Sequence, residues 1–178
     1  MSINKLNLSR LLEVNSTIVE WDMRRAGLSI IRELKLLPNE TIDHLMSLPK
    51  KECDIAIGKL QIKDKEFSKV LEQSFTDIMT TFLEVNKIDQ DLDVISIKKD
   101  ACFVINKSIK KSTFGDYIEF VPKNSYHAYM YIKPFLNIKD PALHATPLEI
   151  YFKKDDTIDV KGLTSIKSER NRVDRSTR

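Results

Sequence analysis

The residues that could do chemistry begin with Asp22, in the stretch Val19-Glu20-Trp21-Asp22-Met23-Arg24-Arg25-Ala26-Gly27-Leu28-Ser29-Ile30-Ile31. The first residues read as a short strand, and those from Leu28 read as a helix. A carboxylate at that junction can hold a divalent cation, while the backbone N–H groups opening the helix take phosphate oxygens. Arg24 and Arg25 follow the Asp, and one of them could reach a triphosphate. The plainer alternatives are a capping Asp at an ordinary strand-to-helix turn and an exposed arginine pair. A second lone carboxylate, Asp100, falls at the tip of a tight hairpin: Val94-Ile95-Ser96-Ile97, then Lys98-Lys99-Asp100, then Ala101-Cys102-Phe103-Val104-Ile105.

The elements that must position these groups follow from periodicity. Leu28, Ile31, Leu34 and Leu37 have helical spacing, and the helix should stop before Pro38. Asn39-Glu40-Thr41 looks like a second start, and a short helix is expected from Lys50 to Leu60. Residues 64–88 carry Phe67, Val70, Leu71, Phe75, Ile78, Phe82 and Val85 at spacings of three and four, a long amphipathic helix. Strands are expected at 116–121 and 126–132. A second hairpin pairs 148–152 with 158–160 around Asp155-Asp156. The expected fold class is α+β, an antiparallel sheet with helices packed on one face. The expected division is a lead-in over 1–16, a domain over 17–163 and a short basic C-terminal tail over 164–178.

Composition narrows the class further. Apolar residues make up 42% of the 178, enough for a core, and 29 Lys and Arg against 26 Asp and Glu give a mild +3. Lys161 to Arg178 holds six basic and two acidic residues, a tail able to lie on phosphates or to remain solvated. Cys53 and Cys102 share no metal spacing and read as core thiols of a reducing compartment. His44, His127 and His144 share no ligand spacing either. No stretch reads as a signal peptide or membrane span, so the expected location is cytoplasmic.

In chain order, several stretches resemble the palm of family B DNA polymerases. Asp22-Met23-Arg24-Arg25-Ala26-Gly27-Leu28-Ser29-Ile30-Ile31 is similar to that family's first palm motif, an Asp followed by Ser-Leu-Tyr-Pro-Ser-Ile-Ile. Lys50 with Gly58 resembles the fingers motif Lys-x-x-x-Asn-Ser-x-Tyr-Gly, within a minimal insertion over about 38–62. Phe67 to Ile88 resembles the palm helix, and Lys98 to Val104 the Asp-Thr-Asp-Ser hairpin. Lys123-Asn124-Ser125-Tyr126 resembles the Lys-Lys-Arg-Tyr strand, and Asp159-Val160-Lys161-Gly162-Leu163 the Asp-Val-Lys-Gly-Leu that leads into a thumb.

The resemblance implies template-directed nucleotidyl transfer. Asp22 and Asp100 would be catalytic and hold Mg²⁺ or Mn²⁺. Arg24, Arg25, Gly27 and Lys50 would bind the nucleoside triphosphate. Lys123, Tyr126 and Lys161 would hold the primer-template, with a second polymerase subunit as a further partner. It also implies a bacteriophage or other viral origin and the host cytoplasm. The departures are specific. Lys98 replaces the first Asp of the hairpin and puts a cation beside the metal site; Asp54 and Ile57 replace the fingers Asn and Tyr. Gly27 replaces the Tyr that blocks a ribose 2′-hydroxyl, which implies poor discrimination between ribo- and deoxyribonucleotides. No exonuclease domain or thumb is found in the sequence, which suits one subunit of a split enzyme, a truncated product or a reduced palm. Two other classes stay open. One is a non-catalytic binding module with Lys98, Lys99, Lys107, Lys110 and Lys111 as a phosphate-facing patch. The other is a virion or assembly protein.

Overall fold

The computed structural model describes residues 5–7, 10–132 and 148–161. The described strands are β1 (Lys5–Leu6), β2 (Leu12–Glu13), β3 (Ile18–Met23), β4 (Val94–Lys98), β5 (Ala101–Ile105), β6 (Thr113–Phe114), β7 (Ile118–Tyr126), β8 (Ala128–Ile132), β9 (Leu148–Phe152) and β10 (Ile158–Lys161). The helices are α1 (Ala26–Glu33), α2 (Asn39–Ser47), α3 (Lys50–Lys63) and α4 (Lys65–Val85). The chain is α+β, and its strands form two antiparallel sheets.

The helices start and stop for local reasons. Pro38 and Pro49, both extended, immediately precede α2 and α3, where a missing N–H costs nothing. The Asp64 side chain accepts from the Phe67 N–H at 3.0 Å and caps α4. α1 ends earlier than its apolar spacing suggests, because Lys35 turns left-handed at φ 50°. Lys87 does the same after α4 at φ 54°, a position where glycine is the common choice.

Beyond α4 the buried Asn86 side chain is saturated. Its Nδ2 donates to the carbonyls of Phe82 (2.8 Å) and Lys111 (2.7 Å), and its Oδ1 accepts from the N–H groups of Lys110 (2.8 Å) and Lys111 (2.9 Å). The loop carrying those lysines is thereby fixed to the helix end.

The described residues fall into two compact units, one of residues 5–7 and 19–124, the other of 10–18, 125–132 and 148–161. The first holds the sheet ordered β1-β4-β5-β3-β7-β6 and all four helices. Its core joins Leu71, Phe75, Met79 and Phe82 of α4 to Met23, Cys102, Val104 and Phe120 of the strands. Phe82 stacks on Phe120 with ring centroids 4.1 Å apart. Because strand side chains alternate, one set of strand residues meets the helices and the other faces away. On β3, Trp21 and Met23 pack on the helical core, which puts Glu20 and Asp22 on the opposite face.

The second unit holds the sheet ordered β10-β9-β8-β2. Tyr129 and Tyr151 are fully buried there, with rings 4.9 Å apart. The expected hairpin around Asp155-Asp156 is present as β9 and β10, with Ile158 opposite Phe152. Two-residue strands also occur inside the expected lead-in, where β1 pairs with β4 and β2 with β8. Both cysteines are buried, and burial pushes the Cys102 thiol far up, as suits core thiols. His144, Gly162, Leu163 and the 164–178 tail lie outside the described residues.

Candidate functional site

Asp22 lies near the end of β3, held by ladders on both sides. The Met23 N–H donates to the Asp100 carbonyl at 2.8 Å, and the Arg24 N–H to the Glu119 carbonyl at 2.8 Å. Asp100 ends the two-residue turn between β4 and β5, in which Lys98 faces Ala101 across the ladder. Lys99 takes up the left-handed strain of that turn at φ 41°. Burial and then the Asp22 charge hold the Asp100 carboxyl above its usual range; its own backbone hydrogen bond, Lys123 and Lys99 act against that rise. The two aspartates thus lie close enough to repel.

Both line an open cleft of about 200 Å³. One wall is a single stripe of α3, Lys50, Asp54, Ile57 and Gln61, at the spacings of four and three that align side chains along a helix. Another is the start of α1, with Arg25, Ala26 and Gly27, and Leu71 and Phe75 of α4 supply apolar floor. Lys99 also lines the cleft, its ammonium 4.7 Å from the Phe75 ring centroid. Arg25 is left-handed at φ 46°, and its guanidinium donates to the Leu48 carbonyl at 3.2 Å. At Gly27 a Cβ would stand 3.4 Å from Ile57 Cδ1. Ile57 therefore occupies much of the room that a glycine there was expected to leave.

On β7, Lys123 completes the cluster. Its Nζ is 3.4 Å from Asp22 Oδ2 and 3.9 Å from Glu20 Oε1. Burial works to lower the Lys123 pKa, but Asp22, Glu20 and Asp100 outweigh it and raise the net value. Glu20 is only 3% exposed and accepts from the Asn124 side-chain amide at 2.6 Å.

Of the residues singled out from the sequence, Asp22, Asp100, Arg25, Gly27 and Lys50 come together around one cleft. Arg24 instead pairs with Glu119 at 3.0 Å. Lys123 and Lys99 place cations beside the aspartates; the sequence had assigned Lys123 to the primer-template. Tyr126 and Lys161 belong to the second unit, where the buried Tyr126 hydroxyl donates to Asp159 Oδ2 at 2.7 Å. His44 is exposed on α2. Sequence reasoning missed Glu20, whose signal was its place two residues before Asp22 on one strand, and Gln61, which continues the α3 stripe from Lys50.

Residues 3–172 match the model of a protein family described as Bacteriophage PBS1 gene 130 protein. The chain belongs to this family. No curated protein matches it. The gene 130 protein description carries a phage origin and names no chemistry. In this gene 130 family member no described helix is long and apolar enough to cross a membrane. Among the described residues no group of three or more His, Cys, Asp or Glu is placed to hold a metal. The Asp22–Asp100 pair nonetheless suits a hard dication: both donors are carboxylate oxygens, and Mg²⁺ is commonly held by one or two carboxylates plus water.

Proposed function

We propose that this phage protein is a reduced polymerase-like palm that transfers a nucleotidyl group from a nucleoside triphosphate to a primer on a template. The observation that carries this reading is the convergence of Asp22 and Asp100. The sequence singled them out separately, and the Met23–Asp100 hydrogen bond brings their strands together at one cleft that also holds Arg25 and Lys50. Arg25, Lys50 and Lys99 meet the triphosphate as positive charges, and the α3 stripe bounds the space for its base and sugar. Asp22 and Asp100 would hold Mg²⁺ or Mn²⁺, which when bound supplies Lewis-acid stabilisation of the attacking and leaving oxygens. Gly27 offers no ring to sense a 2′-hydroxyl, so ribo- and deoxyribonucleotides should be poorly told apart unless Ile57, which fills much of the room beside it, takes the place of that ring. A partner subunit that grips the duplex, and action in the host cytoplasm during infection, belong to the same proposal.

The Lys123 ammonium on Asp22 favours a second reading, a palm scaffold that binds nucleic acid without chemistry. One experiment separates the two. Binding of Mn²⁺ together with a non-hydrolysable nucleoside triphosphate is measured on wild type, Asp22→Ala and Asp100→Ala, followed by primer extension. Joint binding lost in both variants supports nucleotidyl transfer, whereas wild type that binds neither ligand but retains DNA overturns it in favour of the binding module.

A further inference from the structure

We propose that the Lys123 ammonium is a built-in cation of this site, so that Asp22 and Asp100 take one divalent ion where a polymerase palm is expected to take two. The inference rests on the nucleotidyl-transfer reading above. Its geometry is local to β3 and β7. Lys123 Nζ bridges Asp22 Oδ2 at 3.4 Å and Glu20 Oε1 at 3.9 Å. The stem of Lys123 is fixed by the sheet, since the next residue, Asn124, donates to the other oxygen of the same Glu20 at 2.6 Å. Glu20 itself is buried, and a buried carboxylate is costly unless it is hydrogen-bonded and paired with charge. A lysine held against it therefore has a reason to stay when a metal arrives.

The charges agree with one ion. Asp22, Asp100 and Glu20 carry three negative charges, and Lys123 and Lys99 return two positive ones, so that a single divalent cation already neutralises the cluster. A second dication would find no carboxylate charge left to compensate it and would depend on the triphosphate alone. Nor is a second dication required for the triphosphate, because Arg25, Lys50 and Lys99 already line the cleft. The hairpin, with Lys98 where the resembled family has an Asp, provides no further acidic ligand.

The test counts ions. Mn²⁺ bound per full-length chain is measured by electron paramagnetic resonance and calorimetry, with a non-hydrolysable triphosphate present, for wild type, Lys123→Met and Lys123→Arg. Lys123→Arg keeps the charge opposite buried Glu20, whereas Lys123→Met leaves Glu20 with the Asn124 hydrogen bond, and circular dichroism checks the fold of both. The expected result is one ion in wild type, one in Lys123→Arg and two in Lys123→Met. Two ions in wild type, or one in Lys123→Met, overturn the inference while leaving the metal site standing. No ion in wild type removes the metal site itself, and the nucleotidyl-transfer reading falls with it.

Discussion

The Met23 backbone N–H donates to the Asp100 carbonyl across 2.8 Å, one rung that joins the strand of the first aspartate to the hairpin of the second. It fixes two carboxylates far apart in sequence beside one another at the cleft, and the arrangement carries an energetic cost. Burial and the Asp22 charge both raise the Asp100 pKa in the folded state. A carboxyl raised in this way stabilises the fold fully below its unfolded pKa, about 3.9, and that stabilisation is lost as pH rises through the folded value.

Asp100→Asn should therefore be more stable than wild type at neutral pH. The same variant should lose Mn²⁺ binding. Thermal melts and metal titration on one preparation check both, and an unchanged or lower melting temperature contradicts the account of the site's electrostatics.

Asn86→Ala removes four hydrogen bonds from a buried side chain and leaves the Lys110 and Lys111 N–H groups without their acceptor. The expected loss is about 2–4 kcal/mol. Urea denaturation gives the value directly, and a loss under about 1 kcal/mol means that water replaces the side chain.

Two glycines should respond in opposite directions. A Cβ at Gly58 meets nothing within 4 Å, so Gly58→Ala on α3 should stabilise by about 0.5–1 kcal/mol. At Gly115, φ is +63° and a Cβ would lie 1.9 Å from Glu33 Oε1. That carboxylate accepts from the N–H groups of Asp116 and Tyr117, each at 2.9 Å. Gly115→Ala should cost about 1–3 kcal/mol. Equal melting temperatures for the two variants would contradict at least one of the two assignments.

In the second unit, the hydrogen bond from Tyr126, and then Lys153, hold the Asp159 carboxyl below its usual range. A depressed carboxyl contributes stability above the unfolded pKa, about 3.9, which is lost as pH falls through the lower folded value. Tyr126→Phe should cost about 1–2 kcal/mol at neutral pH, and its stability should fall less than that of wild type below about pH 4. Denaturation curves across that range decide it; identical acid slopes in the two proteins would remove Asp159 as the cause.

Much of this was legible in the chain because it is written locally. The apolar repeat from Phe67 to Val85 sets α4, the polar Lys-Lys-Asp between two apolar runs sets the β4–β5 hairpin, and Pro38 marks the break between α1 and α2. Asp22 and Asp100 stood out because each is a lone carboxylate at a strand end. What was missed depends on pairing between distant strands. Lys123 reaches Asp22 only because β7 lies beside β3, and no periodicity encodes that neighbour. Glu20 went unremarked within its stretch, and only the folded sheet buries it. The two-residue strands β1, β2 and β6 are too short to show a period, and without β2 and β8 paired there was no sign of a second sheet.

The left-handed turn residues have a practical consequence. Among the described residues seven non-glycine positions have positive φ, Lys35 and Lys87 among them, against a single glycine, in a chain with four glycines overall. Each such lysine carries roughly 1 kcal/mol of backbone strain that glycine relieves. Positions 35 and 87 follow helices α1 and α4 and line no part of the cleft. They therefore offer engineering headroom: a tougher background, made by glycine at both, in which even drastic changes to the cleft can be examined on a folded protein.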